Sequence, residues 1–162
     1  MRRLRSIFKD AAADRAERSL DADDADAFVT AMWNKDEKTA SEMLTKILWN
    51  SIGWFDYGEE YYHGLLNRIF TARGFSTDSN DEAIGRGNLC VRNRPERTFL
   101  LLAFKRSGRK EDLDADCDEA IARIFEKGYD KVMPEGYEHQ LLYGIAFYAK
   151  TAQVKFNNRN IL

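Results

Sequence analysis

Apolar residues recur along this chain with two different periods, and the switches between them mark out its elements. In residues 1–20, Leu4, Ile7, Phe8, Ala11 and Ala12 fall at helical spacing behind a basic cap of Arg2, Arg3 and Arg5. The run of aspartates at 21–26 reads as a solvated linker entering a helix, where carboxylates complement the positive end of the helix dipole. Two helices are predicted next, over 25–33 and 37–49, with Phe28, Met32, Trp33, Met43, Leu44, Ile47 and Leu48 turned inward. Past a loop containing Gly53 and Trp54, a stronger helix covers 59–72, lined by Tyr62, Leu65, Leu66, Ile69 and Phe70 and ended by Gly74.

From there the period shortens to two. Residues 75–79 form a short strand candidate, a polar turn holds Asn80, Asp81 and Glu82, and a glycine-rich entry at 85–88 leads into two strand-like runs, 88–92 and 98–104. The second run is almost continuously apolar, as expected of a strand covered on both faces. Between them, Pro95 in the turn 93–97 blocks further pairing. Strand parity puts Leu101, Ala103 and Lys105 on one face and Leu100, Leu102 and Phe104 on the other. A helix over 111–127 follows, with Ile121, Ile124 and Phe125 inward and Gly128 as its stop, and runs 140–148 and 152–156 read as a closing hairpin. The order is a helical preface, a helix, three strands, a helix and two strands, which is an α/β pattern.

Composition narrows the picture only a little. The 162 residues suffice for one domain with a sizeable core, and 44% hydrophobic with 32% charged residues describes a packed globule with a solvated surface. A net charge of -2 gives no global footprint for nucleic acid. Cys90 and Cys117 lack metal-ligand spacing and read as reduced, partly buried thiols, which fits a cytoplasmic protein. No apolar run approaches the ~20 residues of a membrane span, and no signal-peptide core is present at the start. Asp10, Asp14 and Glu17 interrupt the cationic face of the first helix, which favours docking on the domain or on a protein partner over a membrane role. The aspartates at 21–26 lack the glycine and terminal glutamate of a calcium loop.

Several local motifs together resemble the PD-(D/E)XK nuclease superfamily, and most closely the nuclease-like domain at the C-terminal end of certain AAA-type ATPases. They are Glu59-Glu60-Tyr61-Tyr62-His63-Gly64, Ser79-Asn80, Gly85-Arg86-Gly87-Asn88, Ala103-Phe104-Lys105, Glu119-Ala120-Ile121 through Lys127-Gly128-Tyr129, and Gly144-Ile145-Ala146-Phe147-Tyr148. The resemblance spans roughly residues 24–156. It implies a restriction-endonuclease-like α/β core with an N-terminal helical extension, divided as helix and acidic linker over 1–23 and nuclease-like domain over 24–162. No GxxxxGK[ST] ATP-binding motif occurs in the sequence.

What the resemblance implies chemically is a phosphodiesterase in which strand carboxylates hold Mg²⁺ or Mn²⁺ and a lysine orients the attacking water. The lysine is matched by Lys105 and the acid of the first core helix by Glu60. The metal-binding aspartate is matched by Asn88, the glutamate by Ala103, and a glutamine of the second core helix by Arg123. An amide carries no negative charge and a methyl group offers no ligand. The leading expectation is therefore a degenerate, inactive site with no cofactor, retained for nucleic-acid or protein binding. Lys105 beside Arg123 would then make the pocket electropositive, with Glu60 as a salt-bridge partner.

Two other readings stay open. In one, Asp81 or Glu82 swings in to join Asn88 as metal ligands, and an active Mg²⁺- or Mn²⁺-dependent nuclease results. In the other, the chain is a purely structural or regulatory module. His63 reads as a packing residue and His139 has no evident partner. Arg86, Arg92, Arg94, Arg97, Arg106, Arg109 and Lys110 would form a DNA- or RNA-facing patch if the strands bring them together.

Overall fold

In a computed structural model, residues 21–51, 58–79, 85 and 87–157 are described. The first predicted helix, the loop with Gly53 and Trp54, and Asp81, Glu82 and Arg86 lie outside them. Four helices occur among the described residues: α1 (Ala22–Trp33), α2 (Glu37–Asn50), α3 (Glu59–Thr71) and α4 (Leu113–Lys127). They surround a five-stranded sheet in the order β1 (Ser76–Asp78), β2 (Leu89–Asn93), β3 (Thr98–Arg106), β4 (His139–Tyr148) and β5 (Thr151–Phe156). β3 and β4 pair in parallel and the other neighbours pair antiparallel. The restriction-endonuclease-like order of helix, three strands, helix and two strands is thus present.

β3 organises the molecule because both of its faces are covered. Leu100, Leu102 and Phe104 join a cluster with α1, α2 and α3, while Phe99, Leu101 and Ala103 join a second cluster with Ala120, Ile121 and Ile124 of α4. Burying a side chain of this size contributes about 1.5–3 kcal/mol, which explains why a nearly unbroken apolar run is needed here. α4 lies very close to β4. A Cβ on Gly144 would collide with the Cys117 carbonyl oxygen and come within 2.9 Å of Ile121 Cγ1, so only glycine allows this approach.

α1 and α2 do more than decorate the core. Phe28, Met32, Leu44, Ile47 and Leu48 are fully buried in the larger cluster, and the Tyr143 hydroxyl of β4 donates to the Met32 carbonyl at 2.6 Å. Asp21 caps α1 by accepting from the Asp23 amide at 2.8 Å, as its position in the acidic run predicts. Asp24 departs from the solvated linker expected there. It is buried in the first turn and pairs with Lys46 of α2 at 3.0 Å.

The free edge of β5 is closed by side chains. Ser41 Oγ accepts from the Val154 amide (2.9 Å) and shares its one proton between the Glu37 carbonyl (2.8 Å) and the Val154 carbonyl (3.3 Å). Thr45 Oγ1 donates to the Ala152 carbonyl (3.2 Å) and accepts from its amide (3.1 Å), and Glu37 Oε2 accepts from the Phe156 amide (2.8 Å). Residues 37, 41 and 45 are spaced by one helical turn and 152, 154 and 156 by one pleat, so one stripe of α2 serves the Ala152 and Val154 amides and carbonyls and the Phe156 amide. An unpaired edge would otherwise recruit another strand.

Candidate functional site

The candidate site lies where β3 runs out. Strand parity delivers Ala103 and Lys105 to the α4 side, and Ser107, whose amide donates to the Phe147 carbonyl at 2.7 Å, ends the strand beside the first turns of α4. The inward stripe of that helix is Leu113, Asp116, Cys117, Ala120, Ile121 and Ile124, at the spacing of a buried helix face. Asp116 is the one carboxylate in the stripe, and it is buried.

Lys105 Nζ lies 3.1 Å from Asp116 Oδ1 and also pairs with Glu119 Oε2. Ser107 Oγ donates to Asp116 Oδ2 at 2.7 Å, so both oxygens of that carboxylate are used. These contacts explain the protonation behaviour. The hydrogen bond to Glu119 raises the Lys105 pKa, with burial opposing and Asp116 adding to the rise. The Ser107 hydroxyl, together with Lys105, lowers the Asp116 pKa against the effect of burial. Both acids therefore favour the charged form of Lys105.

The other matched residues are arranged more loosely. Asn88 is half-buried in the turn before β2, where its amide donates to the Gly85 carbonyl at 3.2 Å. Gly85 has φ +88°, and a Cβ there would meet the Tyr129 ring and come within 2.6 Å of Asn88 Nδ2, so this turn admits only glycine. Ala103 is buried against α4. Glu60 is exposed in the first turn of α3, and Arg123 is exposed on α4 one turn beyond Glu119.

His63 of α3 packs edge-on against Phe104 with ring centroids 5.5 Å apart. Desolvation lowers its pKa, while a hydrogen bond with the Asn88 backbone works the other way. His139 is exposed at the start of β4, at the far end of the sheet from Lys105.

Lys105 is balanced by Asp116 and Glu119, two acids that were not singled out as its partners, in place of the electropositive surroundings expected beside Arg123. A carboxylate lodged inside the apolar stripe of α4 was the available signal. The same helix holds a second lysine in the same fashion: Lys155 of β5 lies 3.2 Å from Asp114 Oδ2 and 3.0 Å from Asp118 Oδ2. Acid pairs spaced by three or four residues thus clamp strand lysines on both flanks of α4.

The basic residues separate into two groups. Arg92, Arg94 and Arg97 sit at the β2–β3 turn, while Arg106, Arg109 and Lys110 follow the other end of β3. Arg97 is paired with Glu138 at 2.9 Å and Arg109 with Asp112 at 3.1 Å. Both cysteines are free and buried, and burial pushes the Cys117 thiol up to about 12, which makes it unreactive near neutral pH. No helix among the described residues is long and apolar enough to cross a membrane.

A sheet of this order, with a helix between its parallel strands and a lysine near the end of the third, defines an α/β domain of the restriction-endonuclease-like class. The family model of the PD-(D/E)XK nuclease superfamily matches residues 57–157, well over half of the chain, and the chain belongs to that superfamily. No curated protein and no solved structure matches it.

Nucleases of this superfamily generally use Mg²⁺ or Mn²⁺. The described residues at the matched positions do not suit such an ion. Asn88, just before β2, and Ala103 of β3 supply one amide and one methyl group, whereas Mg²⁺ asks for hard, anionic oxygens. Asp116 and Glu119 are engaged by Lys105. Among the described residues no three His, Cys, Asp or Glu side chains converge as a metal site would require.

Proposed function

We propose that this chain is a PD-(D/E)XK-fold domain that has lost phosphodiester hydrolysis and serves as a nucleic-acid-binding module. The observation that carries this reading is the clamp on Lys105. An ammonium group held between Asp116 and Glu119 takes up the local negative charge that a divalent ion would need, while Asn88 and Ala103 bring none. The matching clamp on Lys155 supports a structural role for the lysine.

Nucleic acid is favoured as the partner by what surrounds this end of the sheet. Tyr148, at the end of β4, and Trp49, at the end of α2, are exposed, and Lys150 Nζ lies 5.7 Å from the Trp49 ring centroid. Exposed rings beside cations suit stacking with unpaired bases.

The test is incubation with plasmid, single-stranded DNA and RNA in Mg²⁺ or Mn²⁺, beside a Lys105→Ala variant. No metal-dependent cutting is expected. Cutting that vanishes in the variant would overturn the reading in favour of an active nuclease. Retention on single-stranded nucleic acid that weakens with salt is the positive expectation. Its absence at low salt would point to a protein partner.

A further inference from the structure

At the opposite end of β2 and β3 from Lys105 lies a cleft of about 430 Å³, and its lining has the chemistry of an anion site. It opens because β1 is too short to cover its neighbour. β1 pairs with β2 only from Ser76↔Arg92 to Asp78↔Cys90, so Asn93 and the turn beyond it run past the end of the edge strand. On the other side the chain leaves α3 through Gly74, at φ +89°, which turns Phe75 toward Trp33 (ring centroids 5.2 Å).

Arg92, Arg94, Asn93, Ser76 and Tyr137 line the cleft with Phe75, and no carboxylate belongs to the lining among the described residues. Arg94 is exposed in the turn. Among the described residues the acid paired with Arg92 is Asp78, whose Oδ2 stands 3.6 Å from Nη2, an ion pair beyond hydrogen-bond length. Two lining residues carry a buried polar atom that has no hydrogen-bond partner among the described residues, Arg92 Nε and the Tyr137 hydroxyl. Buried donors are seldom left without a partner unless something else satisfies them.

The scaffold behind them is fixed. Arg92 pairs with Phe99 across the ladder, and the Phe99 ring meets Tyr137 edge-on at 6.0 Å. Arg97, the next arginine along, is already paired with Glu138. Among the described residues the cleft therefore sets two guanidinium groups against one carboxylate, Asp78, which pairs with Arg92 at 3.6 Å, with hydroxyl and amide donors around them and aromatic rings at its sides.

We propose that this cleft binds a phosphate group, with Arg92 and Arg94 gripping its oxygens and Phe75 or Tyr137 flanking whatever planar group the phosphate carries. Guanidinium forks match phosphate oxygens, and the volume suits a ligand of mononucleotide size. The phosphate could belong to a free nucleotide or to a nucleic-acid backbone. The site is separate from the Lys105 clamp, so it stands whether or not the domain cuts phosphodiesters.

The experiment is amide NMR on the full chain at low salt, titrated with inorganic phosphate, AMP, adenosine, and oligothymidylate with and without a terminal phosphate. Phosphate and AMP are expected to shift the amides of Ser76, Asn93, Arg94 and Tyr137, and adenosine is not. Arg94→Ala, in an exposed turn, should weaken AMP binding about tenfold or more, and Arg92→Gln should weaken it further. If Arg92→Gln does not fold, Arg94→Ala decides alone.

Binding of AMP without binding of oligonucleotide supports the site and assigns it to free nucleotides. Oligonucleotide binding that ignores the terminal phosphate but is lost in Arg94→Ala supports it and assigns it to the backbone. No shift at the cleft with any phosphate-bearing probe, or an AMP affinity unchanged in Arg94→Ala, overturns the proposal.

Discussion

Lys105 Nζ stands 3.1 Å from Asp116 Oδ1, and this contact ties the end of β3 to the buried stripe of α4. The Lys105 side chain is 24% exposed and that of Asp116 13%, so water only partly replaces the pair if it is broken. Lys105→Met should lower unfolding free energy by about 1–3 kcal/mol, because it leaves Asp116 buried with Ser107 as its remaining hydrogen-bond partner. The pH dependence follows from the two shifts. Asp116, with its pKa lowered from 3.8, stabilises above that value and loses the effect as pH falls through its folded pKa. Lys105, raised from 10.5, stabilises below that value and loses the effect as pH rises through its folded pKa. Denaturant melts of both proteins should therefore differ most between these limits and converge outside them.

The hydroxyls of Ser41 and Thr45 give a second prediction. Ser41→Ala leaves the Val154 amide and carbonyl without their side-chain partner at the edge of the sheet, and should cost about 1–2 kcal/mol by chemical denaturation. Ser41→Ala with Thr45→Val should also reopen the β5 edge, with concentration-dependent association visible by light scattering. A double variant as stable and as monodisperse as the parent would show that the stripe does not protect the edge.

These two contacts mark what could be read from the chain and what could not. The run 98–104 declared itself as a strand buried on both faces, alternation alone placed Lys105 beside Ala103, and the strand runs on to Arg106. The inward face of α3 was equally plain, because Tyr62, Leu65, Leu66, Ile69 and Phe70 are all apolar at helical spacing. Asp116 was overlooked because a carboxylate on a helix reads as solvated until the strand lysine opposite it is known. Glu37, Ser41 and Thr45 look like an ordinary wet face for the same reason, since nothing local to α2 says that β5 lies against it. The cleft beside Arg92 depends on where β1 stops, and that is a property of pairing between segments.

His63 offers a pH probe near the matched positions. Desolvation lowers its pKa below 6.5, so folding favours its neutral form. Its contribution to stability is full above the unfolded value and declines as pH falls from about 6.5 toward the lowered folded value, because the unfolded chain takes up the proton first. His63→Gln should remove that part of the slope. Melts of the two proteins from about pH 7.5 to pH 5 should show the parent losing more stability over this range. Equal slopes would mean that His63 titrates as it does in the unfolded chain.

Restoring the missing carboxylates tests the assignment of the site itself. Asn88→Asp with Ala103→Glu would place two anionic groups near the Lys105 end of β3, where the sequence resemblance puts the superfamily's metal ligands. Ala103 is buried beside Ala120 and Ile121 of α4, so the longer side chain must turn toward the strand end, and a stability loss of about 1–3 kcal/mol is expected. The gain should be specific. Mn²⁺ should raise the melting temperature of the folded double variant and leave the parent unchanged, since an ion bound only by the native state stabilises it in proportion to its concentration. Each single variant should respond weakly, because one added carboxylate still faces the Lys105 ammonium. A folded double variant with no Mn²⁺ response would show that Asn88 and Ala103 do not stand at the superfamily's metal positions.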